Sequence, residues 1–194
     1  VYASLPTEQS NPATRDLDTL PLIGSLALIN REDHKVAAAV RRELVAIEKA
    51  ARAIADALSG GGRLFFFGAG TSGRLGVIEA AECPPTFGTL PRQIQGVMAG
   101  GRRAVFKSKE GAEDDAAAGR RAASKLRRGD AAVGIAASGV TPFVLGALQE
   151  AKRRGASTAL VTSNGRPTVR AVDVLIAPQV GPEALAGSTR MKSG

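Results

Sequence analysis

The stretch FFFGAGTSGR (residues 65–74) carries glycines at positions 68, 70 and 73. This is the G-x-G-x-x-G spacing that lets a backbone turn tightly and approach a phosphate. A dinucleotide site of this type also needs an acidic residue at the end of the second strand, to hold ribose hydroxyls. The corresponding stretch here, RQIQGVMAGG (92–101), ends in alanine and glycine. What the loop offers instead, beside Gly70, is a pair of hydroxyls on Thr71 and Ser72 next to the free amides of a helix N-terminus, which suits a single terminal phosphate. Helix capping alone would account for the same two residue types. A second stretch, AASGVTP (136–142), repeats the arrangement: an apolar strand, a turn with Ser138 and Gly139, then Thr141 and Pro142 opening a helix. Two such termini after neighbouring strands converge on one anion, so together they point to a phosphorylated small molecule.

Carboxylates supply the other chemistry. LGVIEAAECPP (75–85) puts Glu79 and Glu82 three apart on a helix that Pro84 is expected to stop near Cys83. Glu82 then sits at the negative end of the helix dipole, a poor place for a charge and a suitable one for a proton donor. Glu79 reads as solvated or capping. EGAEDD (110–115) opens the following helix, where the dipole favours acids, and that alone explains Glu110, Asp114 and Asp115; Glu113 taken by itself is equally ordinary. His34 is the only histidine and has no cysteine or histidine at ligand spacing, so no metal site is expected. Cys83 lacks a nearby histidine base and reads as a packing residue.

The elements that must hold these residues alternate. Apolar positions from Val36 to Leu58 recur at three and four, predicting an amphipathic helix over 34–60 with Asp33 as its N-cap. Strands are expected at 64–67, 93–98, 131–136, 158–162 and 172–176, with helices at 73–83, within 111–126 and at 141–153, and a short turn or helix after Pro167. Apolar strands separated by helices imply an α/β fold, a three-layer sandwich around a parallel sheet. Residues 1–33 read as an arm. At 194 residues the chain holds one well-cored domain, 44% hydrophobic, with no apolar run long enough to cross a bilayer and no secretory signal pattern, so a cytoplasmic protein is expected. The net charge of +8 is dispersed among acids, and aromatics make up 4% with no tryptophan, which argues against nucleic acid as partner.

Four motifs carry a resemblance: GAGTSGRLGVIEAAECPPTFG, EGAEDD, GIAASGVTP and VGPEALAGSTRMKSG. They closely resemble the N-acetylmuramic acid 6-phosphate etherases of the sugar isomerase (SIS) domain superfamily, from TEQSNPATRDLDTL (7–20) to Gly194. The resemblance implies a flavodoxin-like five-stranded SIS domain over 61–194. It makes Glu82 the acid/base at the ether and Glu113 a second essential glutamate, with Ser72, Ser138 and Thr141 on the sugar phosphate. It further implies a homodimer with sites drawn from both subunits, and proton-transfer chemistry that requires no metal or redox cofactor. Relatives usually carry arginine at the position of Val140 and threonine at that of Ala186, and continue into a helical region beyond Gly194, so a shortened form is expected. The competing expectations are a non-catalytic sugar-phosphate sensor of the glucokinase regulatory protein type and an aldose–ketose isomerase.

Overall fold

In the computed structural model, which describes residues 5–165 and 172–194, five short strands pair into one parallel sheet. They are β1 (Leu64–Gly68), β2 (Ile94–Met98), β3 (Ala131–Ile135), β4 (Ser157–Val161) and β5 (Val174–Ile176), in the order β2-β1-β3-β4-β5. This is the flavodoxin-like order, with its reversal at β1. Gly68 pairs with Met98 on one side and Ile135 on the other, so the three strands end level. The helices are α1 (Leu22–Arg41), α2 (Leu44–Ser59), α3 (Gly70–Phe87), the single turn α4 (Arg103–Phe106), α5 (Ala116–Ala123) and α6 (Pro142–Arg153).

Alternation along β1 makes the layers. Phe65 and Phe67 are fully buried with Ala123 of α5 and with Phe143, Val144, Ala147 and Leu148 of α6. Leu64 and Phe66 face the opposite cluster, with Ala50 and Ala57 of α2 and Ala80 and Cys83 of α3. Each buried phenylalanine stabilises the sheet by about 2 kcal/mol. The three-layer α/β architecture and all five expected strands are present; the turn expected after Pro167 lies outside the described residues.

Two helical regions differ from expectation, and α3 also starts at Gly70, three residues early. The helix predicted from residue 34 is two helices, and α1 begins at Leu22, directly after Pro21, so Asp33 lies inside α1 and caps nothing. The apolar residues at its start cover no core: Leu22 and Ile23 are each 76% exposed. The interruption at 42–43 frees Glu43, whose carboxylate accepts from Ala177 N at the end of β5 (3.1 Å). Secondly, α3 runs through Pro84 and Pro85 to Phe87 and ends at Gly88, whose left-handed backbone (φ +66°) closes the helix with Gly88 N donating to Pro84 O. Pro84 and Pro85 take away the donors that Ala80 O and Ala81 O would have used, and the last turn is closed by the Gly88 bond. Glu82 therefore does not stand at the helix end.

Asp130, fully buried before β3, ties down the opposite end of the sheet. It accepts from Arg63 N (2.9 Å), the Arg63 guanidinium (2.7 Å) and Arg127 N (3.0 Å). Burial pushes its carboxyl up, but the Arg63 and backbone bonds outweigh that and hold it below its ordinary value. Replacing Asp130 with alanine is expected to cost about 3 kcal/mol in urea denaturation, since the loss strands several donors at once.

A second buried cluster ties both ends of the described chain to α1. Glu32 (side chain 3% exposed) accepts from Lys192 Nζ at 2.7 Å (side chain 1% exposed), from Asn11 Nδ2 at 2.9 Å, and from Lys35. Lys192 Nζ and Asn11 Nδ2 also donate to Pro182 O, and Glu183 accepts from the amides of Lys192 and Ser193. Burial would raise the Glu32 carboxyl, yet the bonds from Lys192, Lys35 and Asn11 prevail and lower it from 4.5 to about 2. Because the folded value is depressed, this stabilisation is complete above pH 4.5 and lost as pH falls toward 2. Melting curves over that window should show the wild type losing about 3 kcal/mol that a Glu32→Gln chain does not lose.

Candidate functional site

The level ends of β1, β2 and β3 carry a cavity of about 430 Å³. Its floor is built where β1 turns into α3. Gly68 and Gly73 pack against each other: a Cβ on Gly73 would stand 2.8 Å from Gly68 O and 2.9 Å from Met98 Cγ. Gly70 takes φ +55°, and the N-cap position of α3 is Ala69, with Thr71 and Ser72 already inside the first turn. Their hydroxyls make no hydrogen bond with any described residue, so capping does not explain them. The first three amides of α3 have no intrahelical acceptor by helix geometry and face the same region.

The loop after β3 lies alongside. Gly139 N donates to Ala136 O (2.9 Å) at φ +72°, and Val140 N donates to Ser138 Oγ (3.3 Å). The end of β4 braces this turn: Asn164 Nδ2 donates to Ser138 O (3.0 Å), while Ser163 N and Thr162 Oγ1 donate to Ala137 O. Thr141 occupies the N-cap position of α6 and Pro142 its first residue, where a missing N–H costs nothing. Since β1 and β3 are direct neighbours, the two helix N-termini converge as expected.

Gly70, Thr71, Ser72, Ser138, Thr141 and Glu113 all line this cavity. Gly139 shapes the turn beside it without lining it. Glu82 is outside, on the exposed face of α3. Asp115 caps α5 through Ala118 N (2.7 Å), and that bond, with Arg121, holds its carboxyl below its ordinary value. The cavity also takes in residues that the sequence reading did not single out: Glu8 of the arm, Arg74, Lys109 and Thr189. Arg74 donates to Val105 O (2.8 Å) and Ala104 O (3.1 Å), fixing the segment that leads to Glu113. The available signal was position: Glu8 falls in TEQSNP and Thr189 in GSTRMKSG, stretches distinguished by their motifs and not by any local chemistry.

A flavodoxin-order sheet with hydroxyl-bearing helix N-termini at its reversal point defines an α/β domain of a geometry that suits an anion. The family model described as the glucokinase regulatory protein N-terminal SIS domain matches residues 46–152, and the chain belongs to that family. It is 52% identical over 194 residues to the N-acetylmuramic acid 6-phosphate etherase of Salinibacter ruber, covering 98% of this chain and 62% of that protein. The etherase of Cutibacterium acnes is 50% identical over 191 residues, covering 97% and 63%. The chain thus spans less than two thirds of the length of these curated relatives. Among solved structures, the phosphoheptose isomerase of Neisseria gonorrhoeae has the same fold, with a TM-score of 0.60 at 19% identity over 89% of this chain and 91% of that one.

The two glycines of the loop should respond differently to a methyl group. Gly73→Ala drives a Cβ into backbone and is expected to cost about 2 kcal/mol in thermal unfolding. Gly70→Ala meets open space and bears only the left-handed backbone penalty, about 1 kcal/mol.

Proposed function

We propose that this chain binds a phosphorylated amino sugar and carries the chemistry of an N-acetylmuramic acid 6-phosphate etherase, releasing D-lactate and N-acetylglucosamine 6-phosphate. The observation that carries this reading is the convergence of Thr71, Ser72, Ser138, Thr141 and Glu113 on one cavity, in a chain half identical to proteins of that name. The hydroxyls and first-turn amides of α3 and α6 hold the phosphate. The cavity volume falls in the range of small-molecule sites. We place the reaction in cytoplasmic recycling of peptidoglycan amino sugars.

In the open-chain sugar the C2 hydrogen is adjacent to the aldehyde and acidic enough for a carboxylate base. Its removal sends the C–H electron pair into a C2=C3 double bond as the C3–O bond to lactate breaks, and the departing oxygen takes a proton from a general acid. Water then adds at C3 and a proton returns to C2. We assign the proton on the leaving oxygen to Glu82, and assistance at C2 or at the water to Glu113, each contributing about 10²- to 10⁴-fold.

Glu82 is outside its own chain's cavity, and we infer that it serves the site of a second copy in a homodimer. The exposed Ile78 (53%), one turn before it on the same side of α3, supports a covered face. Incubation with N-acetylmuramic acid 6-phosphate should release lactate, and Glu82→Gln or Glu113→Gln should each reduce the rate at least a hundredfold. Mixing the two variants should restore about a quarter of wild-type turnover, because half of the dimers are mixed and each of those has one intact site. Mixing without recovery would show that both glutamates act within one chain. No lactate from the wild type, with a thermal shift on adding sugar phosphate, would favour the sensor reading.

A further inference from the structure

Glu8 and Thr189 come from opposite ends of the described chain, yet both line the cavity. Nothing in the sheet fixes either, since Glu8 lies in a 3-10 turn of the arm (Pro6–Glu8) and Thr189 in an irregular segment after β5. Each does, however, lie three residues before a member of the buried cluster described above. Asn11 follows Glu8 and Lys192 follows Thr189, and both donate to the same oxygen, Glu32 Oε2, and to the same carbonyl, Pro182 O. The neighbouring side chains strengthen the anchorage. Thr7 is almost fully buried, Asn11 Oδ1 accepts from Ala13 N, and Glu183 holds the amides of Lys192 and Ser193.

We propose that the buried Asn11–Glu32–Lys192 cluster is a positioning device for the cavity, holding Glu8 and Thr189 on its wall, where they hydrogen-bond the hydroxyl and amide groups of a bound sugar. Glu32 touches no ligand; it acts through the two segments it joins. A carboxylate at Glu8 suits this part of the ligand because it accepts from hydroxyls and amide N–H groups while repelling a phosphate, which keeps the anionic end at the helix N-termini. The charge of Lys192, a side chain with almost no solvent contact, is matched by Glu32, and a second donor goes to Pro182 O, so the pair is geometrically exacting.

This inference rests on the sugar-phosphate reading, and the test separates the two. Binding of N-acetylglucosamine 6-phosphate and of inorganic phosphate is measured calorimetrically for the wild type and for Glu8→Gln, Thr189→Val and Glu32→Gln. Glu8→Gln and Thr189→Val should each weaken the sugar phosphate about tenfold, Glu32→Gln, which releases both, by more, and all three should leave inorganic phosphate unchanged, because only the sugar meets the outer wall. The double variant Glu8→Gln/Glu32→Gln should bind no more weakly than Glu32→Gln alone, since loss of Glu32 already releases Glu8. Should Glu32→Gln fail to fold, Asn11→Ala, which removes a single donor from the cluster, takes its place. Equal weakening of both ligands by Glu32→Gln, or a change in melting temperature with no change in either affinity, would reduce the cluster to a stabilising role and overturn the proposal. A wild type that binds neither ligand would overturn the sugar-phosphate reading itself.

Discussion

The reversal of strand order at β1 is the constraint from which the site follows. From β1 the chain passes through α3 to β2 on one side of the strand, and then returns through α5 to β3 on the other. Right-handed crossovers in opposite directions put α3 and α5 on opposite faces of the sheet, which the two core clusters reflect. No helix then covers the level ends of β1 and β3, and a crevice remains there. The first turn of α3 and the N-cap of α6 line it, and a helix start is a source of positive potential that needs no basic side chain. The close contact of Gly68 with Gly73 lets α3 begin against the end of β1, so its amides reach the crevice floor.

An open crevice must be walled, and the sheet supplies no wall on its outer side. That work falls to segments without regular structure: the arm, the stretch from 107 to 115 and the residues after β5. Each is fixed by polar contacts. Arg74 binds the carbonyls at the end of α4, Asn164 and Thr162 brace the Ser138 turn, and the Glu32–Lys192 pair joins arm and tail. Apolar packing is tolerant of small slips, whereas a buried ion pair loses most of its value when displaced, because both charges remain desolvated. Polar anchorage of irregular segments therefore gives definition where a core cannot reach.

Much of this was legible in the sequence because it depends on local rules. Short apolar runs separated by helical stretches gave the five strands of the parallel sheet, and the absence of an acid after β2 argued against a dinucleotide loop. Other features depend on what covers a surface. The first half of α1 was missed because its apolar residues, Leu22 and Ile23, face outward, and core periodicity is what reveals a helix. The run of α3 through Pro84 and Pro85 was missed because proline disfavours a helix only while there are further turns to lose; four residues before Gly88 the loss is small. Glu8 and Thr189 lie some 180 residues apart in sequence, and only the buried ionic cluster, itself without a sequence signature, brings them together.

The α3 extension changes the meaning of Glu82. Had the helix stopped at Cys83, this carboxylate would have been a terminal residue in an unfavourable field, and that field would have been its chemical qualification. Inside a helix that runs on to Phe87 it has no such field, and it lies outside the cavity that holds Glu113. In the proposed reaction its qualification has to come from a second copy that covers it. The same exposed face carries Ile78, one turn before Glu82, so an approaching surface would bury apolar area beside the carboxylate. In the proposed dimer, association brings Glu82 to a site that its own chain's cavity does not supply to it.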